Sequence, residues 1–170
     1  MPNTSLTIEQ VLTLLAETPT RIAALTADLS PEELQMSPTP DEWSASVVLA
    51  HLRACADVWG NYIMTIIAED RPTWRAVSPR TWIKQTDYPE LEFRPSLRAF
   101  TTQRADLLAV LSPLPSDAWE RSVRVSAVGR VLEPTVQSYA ERLVDHEQQH
   151  IKQIACIAGT MHARKGSEDG

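Results

Sequence analysis

Glycine is scarce in this chain of 170 residues: there are five, and none precedes Gly60. The first third therefore cannot hold a glycine-rich phosphate loop. Neither G-x-G-x-x-G nor G-x-x-x-x-G-K-[ST] occurs anywhere, which excludes the dinucleotide and P-loop modes of nucleotide binding. Cysteine is sparser still. Cys55 and Cys156 fall inside helical patterns and form no short-spaced pair, so zinc-ribbon and redox readings fail and a reducing cytoplasm fits better than a disulfide scaffold. Basic runs are missing too, and 16 Lys+Arg against 22 Asp+Glu give a net charge of −6, a balance that repels nucleic acid. The longest apolar-rich stretch, 47–68, is broken by His51, Arg53, Asp57 and Asn61, which makes it an amphipathic helix rather than a membrane span. The opening MPNTSLTIEQ has neither the basic region nor the apolar core of a secretory signal. The expectation is a cytoplasmic chain that acts on neither nucleic acid nor membrane.

What the sequence does contain is helical periodicity. With 43% hydrophobic residues it can bury one normal core. Apolar residues from Ile8 to Leu29 recur at mostly three- and four-residue steps, predicting a first helix over 5–29 with a kink or break at Pro19. Ser30-Pro31-Glu32-Glu33 then reads as a capping box opening a short helical turn. A second long helix should start at the N-cap Ser44 and run to about Glu69, with Val48, His51, Cys55, Val58, Tyr62 and Ile66 on its buried seam. Residues 70–94, rich in proline and aromatics, have no lasting period and read as a long functional loop. A third helix is expected over 95–111, a small hairpin or extended excursion around Gly129, and a last helix from Thr135 to about His162. The fold class predicted is all-α: a four-helix bundle with a long loop between helices two and three and a small extended excursion before helix four. It forms one domain over 1–162, and 163–170 is a polar tail expected to be disordered.

Three of the four histidines occupy seam positions: His51 on the second helix, His146 and His150 on the last. Residues four apart share a helical face, so His146 and His150 can aim at one ion, and a histidine from a facing helix completes a three-nitrogen site. Buried singly, each imidazole would need only one hydrogen-bond partner; clustered without a metal, several would be poorly satisfied. Residues 146–150 also read His-Glu-Gln-Gln-His, the H-E-x-x-H pattern of zinc proteases. The third ligand of that class is missing, because Gln153 and Cys156 stand where glycine and histidine are required. A di-iron site needs a second Glu-x-x-His, and Val48 stands three residues before His51. Cys55, one turn beyond His51, can approach the ion, and His162 is expected to be solvated.

Trp43-Ser44 before Val48-Leu49-Ala50-His51-Leu52, Gly129 before the last helix, and His146-Glu147-x-x-His150-x-x-Gln153-Ile154 together resemble the DinB-like (YfiT-like) superfamily, over nearly the whole chain. The resemblance implies a four-helix bundle holding a divalent transition ion, zinc or nickel, on His51, His146 and His150. It also implies a homodimer and a small-molecule substrate. Characterised relatives include transferases and isomerases that use low-molecular-weight thiols such as bacillithiol and mycothiol, so a thiol is an expected second cofactor. The chain is accordingly expected to be a metal-dependent enzyme activating a thiol or water, either a thiol-dependent S-transferase or a hydrolase. Trp82 and Tyr88 would shape the mouth of its site, and Glu147 would be a supporting or proton-transfer group. The competing expectation is a non-catalytic metal-stabilised bundle with a stress-response or binding role.

Overall fold

Capping chemistry sets most of the helix starts in the structure, a computed structural model that describes residues 4–170. Thr7 accepts from the Gln10 backbone N–H while the Gln10 side chain accepts from the Thr7 backbone N–H, so α1 spans Ile8–Thr26, starting with its first apolar residue rather than at residue 5. The same reciprocal arrangement between Ser30 and Glu33 opens α2, Pro31–Gln35. Ser44 caps α3, Ala45–Ala68, as its position before the apolar run predicts. α5, Phe93–Leu111, and α7, Val136–Glu168, complete the four long helices.

These four form a ring in which α7 packs against α1 and α3, and α5 packs against the same two. The helices that follow one another in sequence, α1 and α3, are thus diagonal partners, as are α5 and α7. This order places the second and last long helices side by side, which their histidines require. Two apolar clusters fill the interior. One, around Ile22, Leu49, Phe100 and Ile154, lies toward α2; the other, around Leu15, Ile63, Trp119 and Leu143, lies toward the excursion.

Residues 70–94 are more structured than a loop reading suggests. They contain a strand β1 (Thr73–Arg75), a one-turn helix α4 (Pro79–Trp82) and two 3₁₀ turns. After a short α6 (Ser116–Trp119), β2 (Arg124–Ala127) and β3 (Arg130–Leu132) form the expected hairpin, and β1 adds to it in parallel. Trp74 opposes Val125, which opposes Leu132 in turn. The β1–β2 pairing joins segments about fifty residues apart, so no local pattern announces it.

Two further expectations are corrected. α1 runs unbroken through Pro19. Pro19 has no N–H to give the Leu15 carbonyl four residues back, and Arg104 Nη1 donates to that carbonyl instead, at 3.1 Å. The segment 163–170 is also not a disordered tail: α7 continues to Glu168. Its last turns are held against α2 and the segments on either side of it, with His162 Nε2 2.9 Å from Asp28, Lys165 Nζ 3.1 Å from Glu33, and Arg164 donating to the Pro38 carbonyl. His162 is exposed, as expected, with its ring nitrogen in reach of the Asp28 carboxylate.

Candidate metal centre

α3 and α7 lie side by side, and the ring nitrogens of three histidines meet between them. His51 Nε2 is 2.9 Å from His146 Nε2, which is 3.2 Å from His150 Nε2. Four-coordinate zinc with nitrogen ligands at about 2.0–2.1 Å requires nitrogen-to-nitrogen separations of about 3.3 Å, so this spacing is close to that of ligands on a common ion. The proton inventory points the same way. His150 Nδ1 lies 2.7 Å from Gln153 Oε1, which accepts its proton and leaves the Nε2 lone pair facing the cluster. His51 is held neutral, its pKa lowered to about 4 by burial and by its histidine neighbours, with the charge of Arg80 on α4 adding to the effect. Burial, followed by His150 and Arg142, also lowers His146 to about 4. His51 and His146, both held neutral, bring their Nε2 atoms together with that of His150 in one small space that could hold a cation.

Cys55 borders the same point. Its Sγ is 3.6 Å from His51 Nε2, and His51, Cys55 and His146 offer donor atoms that all lie within 4.8 Å of one another. Two donor sets thus overlap, sharing His51 and His146. Without an ion Cys55 is a protonated thiol, pushed up to about 12 by burial and by the Glu147 carboxylate. Cys55 is thus a donor beside the imidazoles, on the buried side of the cluster.

Aromatic rings frame the cluster. Trp43 stacks on His150 at 6.1 Å and meets His51 edge-on at 5.2 Å, while Trp59 meets His146 edge-on, also at 5.2 Å. Trp59 carries the Arg142 guanidinium over its face at 5.6 Å. The sequence singled out Trp82 and Tyr88 for this position, and the structure places them elsewhere. Both donate to Asp57 Oδ2, at 3.0 and 2.6 Å, and line a separate cavity of about 470 Å³ between α3 and α5. Asp57 is six residues after His51, which rotates it about 120° around the helix from the histidine face.

Glu147 also departs from expectation. It is 1% exposed, and its oxygens accept from both guanidinium nitrogens of Arg104 and from the Thr18 hydroxyl, the latter at 2.8 Å. A carboxylate so fully occupied in the core holds helices together and is not poised to move a proton. The buried seam of α7 runs through Ala140, Leu143, Glu147, Ile151 and Ile154, with His146 and His150 flanking it on the groove side. Arg104 occupies the matching seam position on α5, between Phe100 and Leu107. One charge of each sign in two apolar seams was the available signal for this pair.

The chain is thus a helical bundle in which two adjacent helices bring together side chains that could hold a metal ion. The sequence profile of the DinB superfamily matches residues 14–154, and the chain belongs to that superfamily. No curated protein matches the sequence significantly. Among solved structures, YfiT from Bacillus subtilis, described as "a probable metal-dependent hydrolase with an unusual four-helix bundle topology", superposes with a TM-score of 0.78. The match covers 95% of this chain and 93% of that one, at 18% sequence identity, and establishes the shared fold. No helix among the described residues is long and apolar enough to cross a membrane.

Proposed function

We propose that this chain is a metal-dependent enzyme that holds a divalent transition ion, zinc or nickel, on His51, His146 and His150 and acts on a small molecule. The observation that carries the proposal is the convergence of three histidine ring nitrogens, two from α7 and one from α3. When bound, such an ion supplies Lewis acidity strong enough to make water or a thiol nucleophilic near neutral pH. The chain's own residues do the rest. Gln153 fixes the tautomer of His150, and Trp43 and Trp59 pack against the imidazoles and limit their rotation. Burial keeps His51 and His146 deprotonated, hence available as ligands, throughout the neutral range. His146 and His150 are only partly buried and His146 borders a surface depression, so a substrate has an approach. That openness favours catalysis over a purely structural ion, which would be enclosed by four protein ligands.

Elemental analysis of purified and metal-reloaded protein tests the metal. Close to one equivalent per chain is expected for the native sequence, and a large loss for His51→Ala, His146→Ala or His150→Ala. Uptake below about a tenth of an equivalent by the native chain would sink the proposal. A panel of ester and amide substrates, run beside thiols with a fluorogenic electrophile, then separates hydrolysis from thiol transfer. Metal uptake with no turnover on either arm would favour the non-catalytic bundle. Gel filtration with light scattering tests the homodimer that the family resemblance implies.

A further inference from the structure

Next to the histidines, on the far side of Trp59, α3, α7 and the three-stranded sheet enclose a cavity of about 400 Å³, within the range of small-molecule sites. Its walls are apolar and aromatic, with Tyr62 and Tyr139 on the helix side and Val77, Val125 and Leu132 on the sheet side. The tyrosines give the floor a fixed shape: their rings pack at 5.2 Å, and Tyr62 accepts from the Val77 backbone N–H at 2.7 Å, tying the end of β1 to α3. At the rim stands Arg142, which with Ser138 also borders a shallow surface depression lined by His146. Arg142 and His146 are four residues apart on α7, so the guanidinium and the imidazole share one face, about 5–6 Å apart at Cβ.

The charges at that rim are unevenly matched. Glu133 is paired with Arg124, Nε to Oε1 at 3.3 Å, and Glu141 is engaged by Ser5 and Gln137. Arg142 has no ion-pair partner among the described residues and is held in place by the face of Trp59. It is thus a preset cation between an apolar chamber and the metal ligands. With Glu133, Glu141 and Asp145 nearby, and a chain of net charge −6, a single guanidinium suits a monoanion better than a phosphate dianion.

We propose that this cavity receives the body of the substrate and that Arg142 selects molecules pairing an apolar or aromatic body with a carboxylate, presenting the rest of the molecule to the three histidines. The proposal rests on the metal-enzyme reading for its link to chemistry, but the pocket's preference can be read without turnover.

Calorimetric titration of the full chain with 3-phenylpropionate and with its neutral amide, with and without zinc, provides the test. The carboxylate should bind at least about fivefold more tightly than the amide. Arg142→Gln should abolish that preference and Arg142→Lys should retain part of it, because a single ammonium keeps the charge but loses the guanidinium fork. His51→Ala should leave the preference intact, since it removes an ion ligand and no part of the cavity. Equal binding of the two probes, binding of neither, a preference surviving Arg142→Gln, or one lost in His51→Ala would each overturn the proposal; the last would mean that the carboxylate binds the ion directly. Metal analysis of the same samples separates the two claims. A chain that binds no ion yet keeps the Arg142-dependent preference retains its anion pocket and loses its proposed chemistry.

Discussion

His146 and Glu147 are neighbours in the chain, and the helix turns them about 100° apart, one toward the groove with α3 and the other into the core against α1 and α5. On the core side the polar groups satisfy one another. Arg104 and Glu147 are 2% and 1% exposed, the guanidinium meets both carboxylate oxygens, Thr18 donates to the same carboxylate, and Pro19 leaves the Leu15 carbonyl free for Arg104. On the groove side the matching is incomplete: three imidazoles share one space and, apart from the hydrogen bond between His150 and Gln153, their ring nitrogens meet only one another and the Cys55 sulfur. The difference teaches which cluster is for folding and which for binding. A buried polar network complete in itself specifies packing, whereas one left incomplete is waiting for a ligand.

The sharpest way to break this comparison is to remove one member from each side. Arg104→Met strands the Glu147 carboxylate in the core and should cost about 3–5 kcal/mol in urea unfolding, with the double variant Arg104→Met/Glu147→Leu recovering much of the loss. His146→Ala removes a crowded acceptor and should cost about 1 kcal/mol or less in the metal-free chain, while abolishing the rise in Tm that zinc gives the native protein. A large metal-independent loss in His146→Ala would show that the histidines, too, are structural.

Much of this was legible in the sequence because helix caps and seams are local. Ser30, Ser44 and Thr135 each mark a helix start that the structure reproduces, and the spacing of His146 and His150 puts both on one face. The missing parts are long-range. β1 is three residues whose pairing partner lies about fifty residues on, and its own composition of threonine, tryptophan and arginine shows no alternation long enough to read. Trp82 and Tyr88 were placed by their aromatic character near a functional loop, but their polar atoms follow Asp57, which the helical turn carries to another face. Glu147 is expected beside the ligands as a supporting or proton-transfer group because it adjoins His146 in the chain, whereas its position in the α7 seam opposite a seam arginine assigns it to the core.

A subtler cut leaves all three histidines in place. Gln153 holds His150 Nδ1 at 2.7 Å and so decides which nitrogen faces the cluster. Gln153→Ala should weaken zinc binding by about 10–100-fold in a chelator competition, the usual cost of losing such a support. Gln153→Glu should bind at least as well as the native chain, because a carboxylate makes the imidazole a better donor. If Gln153→Ala bound zinc normally, His150 would be held by packing against Trp43 alone.

The smallest expected effect concerns the wall of the groove rather than its ligands. Both non-glycine residues with positive φ among the described residues flank the small sheet, Arg71 just before β1 and Val128 in the β2–β3 turn. Val128 has φ of 45° and is fully exposed, followed by Gly129 at 73°, so the β2–β3 turn needs two left-handed residues and has a β-branched one in the first place. Asparagine tolerates that conformation far better, and Val128→Asn should raise stability by about 1 kcal/mol, measured as a higher urea midpoint. The side chain touches neither Arg142 nor the histidines, so zinc uptake should stay unchanged. A strained valine that could be relieved without loss would show that the groove side tolerates strain in its scaffold as well as unmatched charge at its ligands; a loss of stability would instead mean that Val128 is held by a contact the isolated chain does not display.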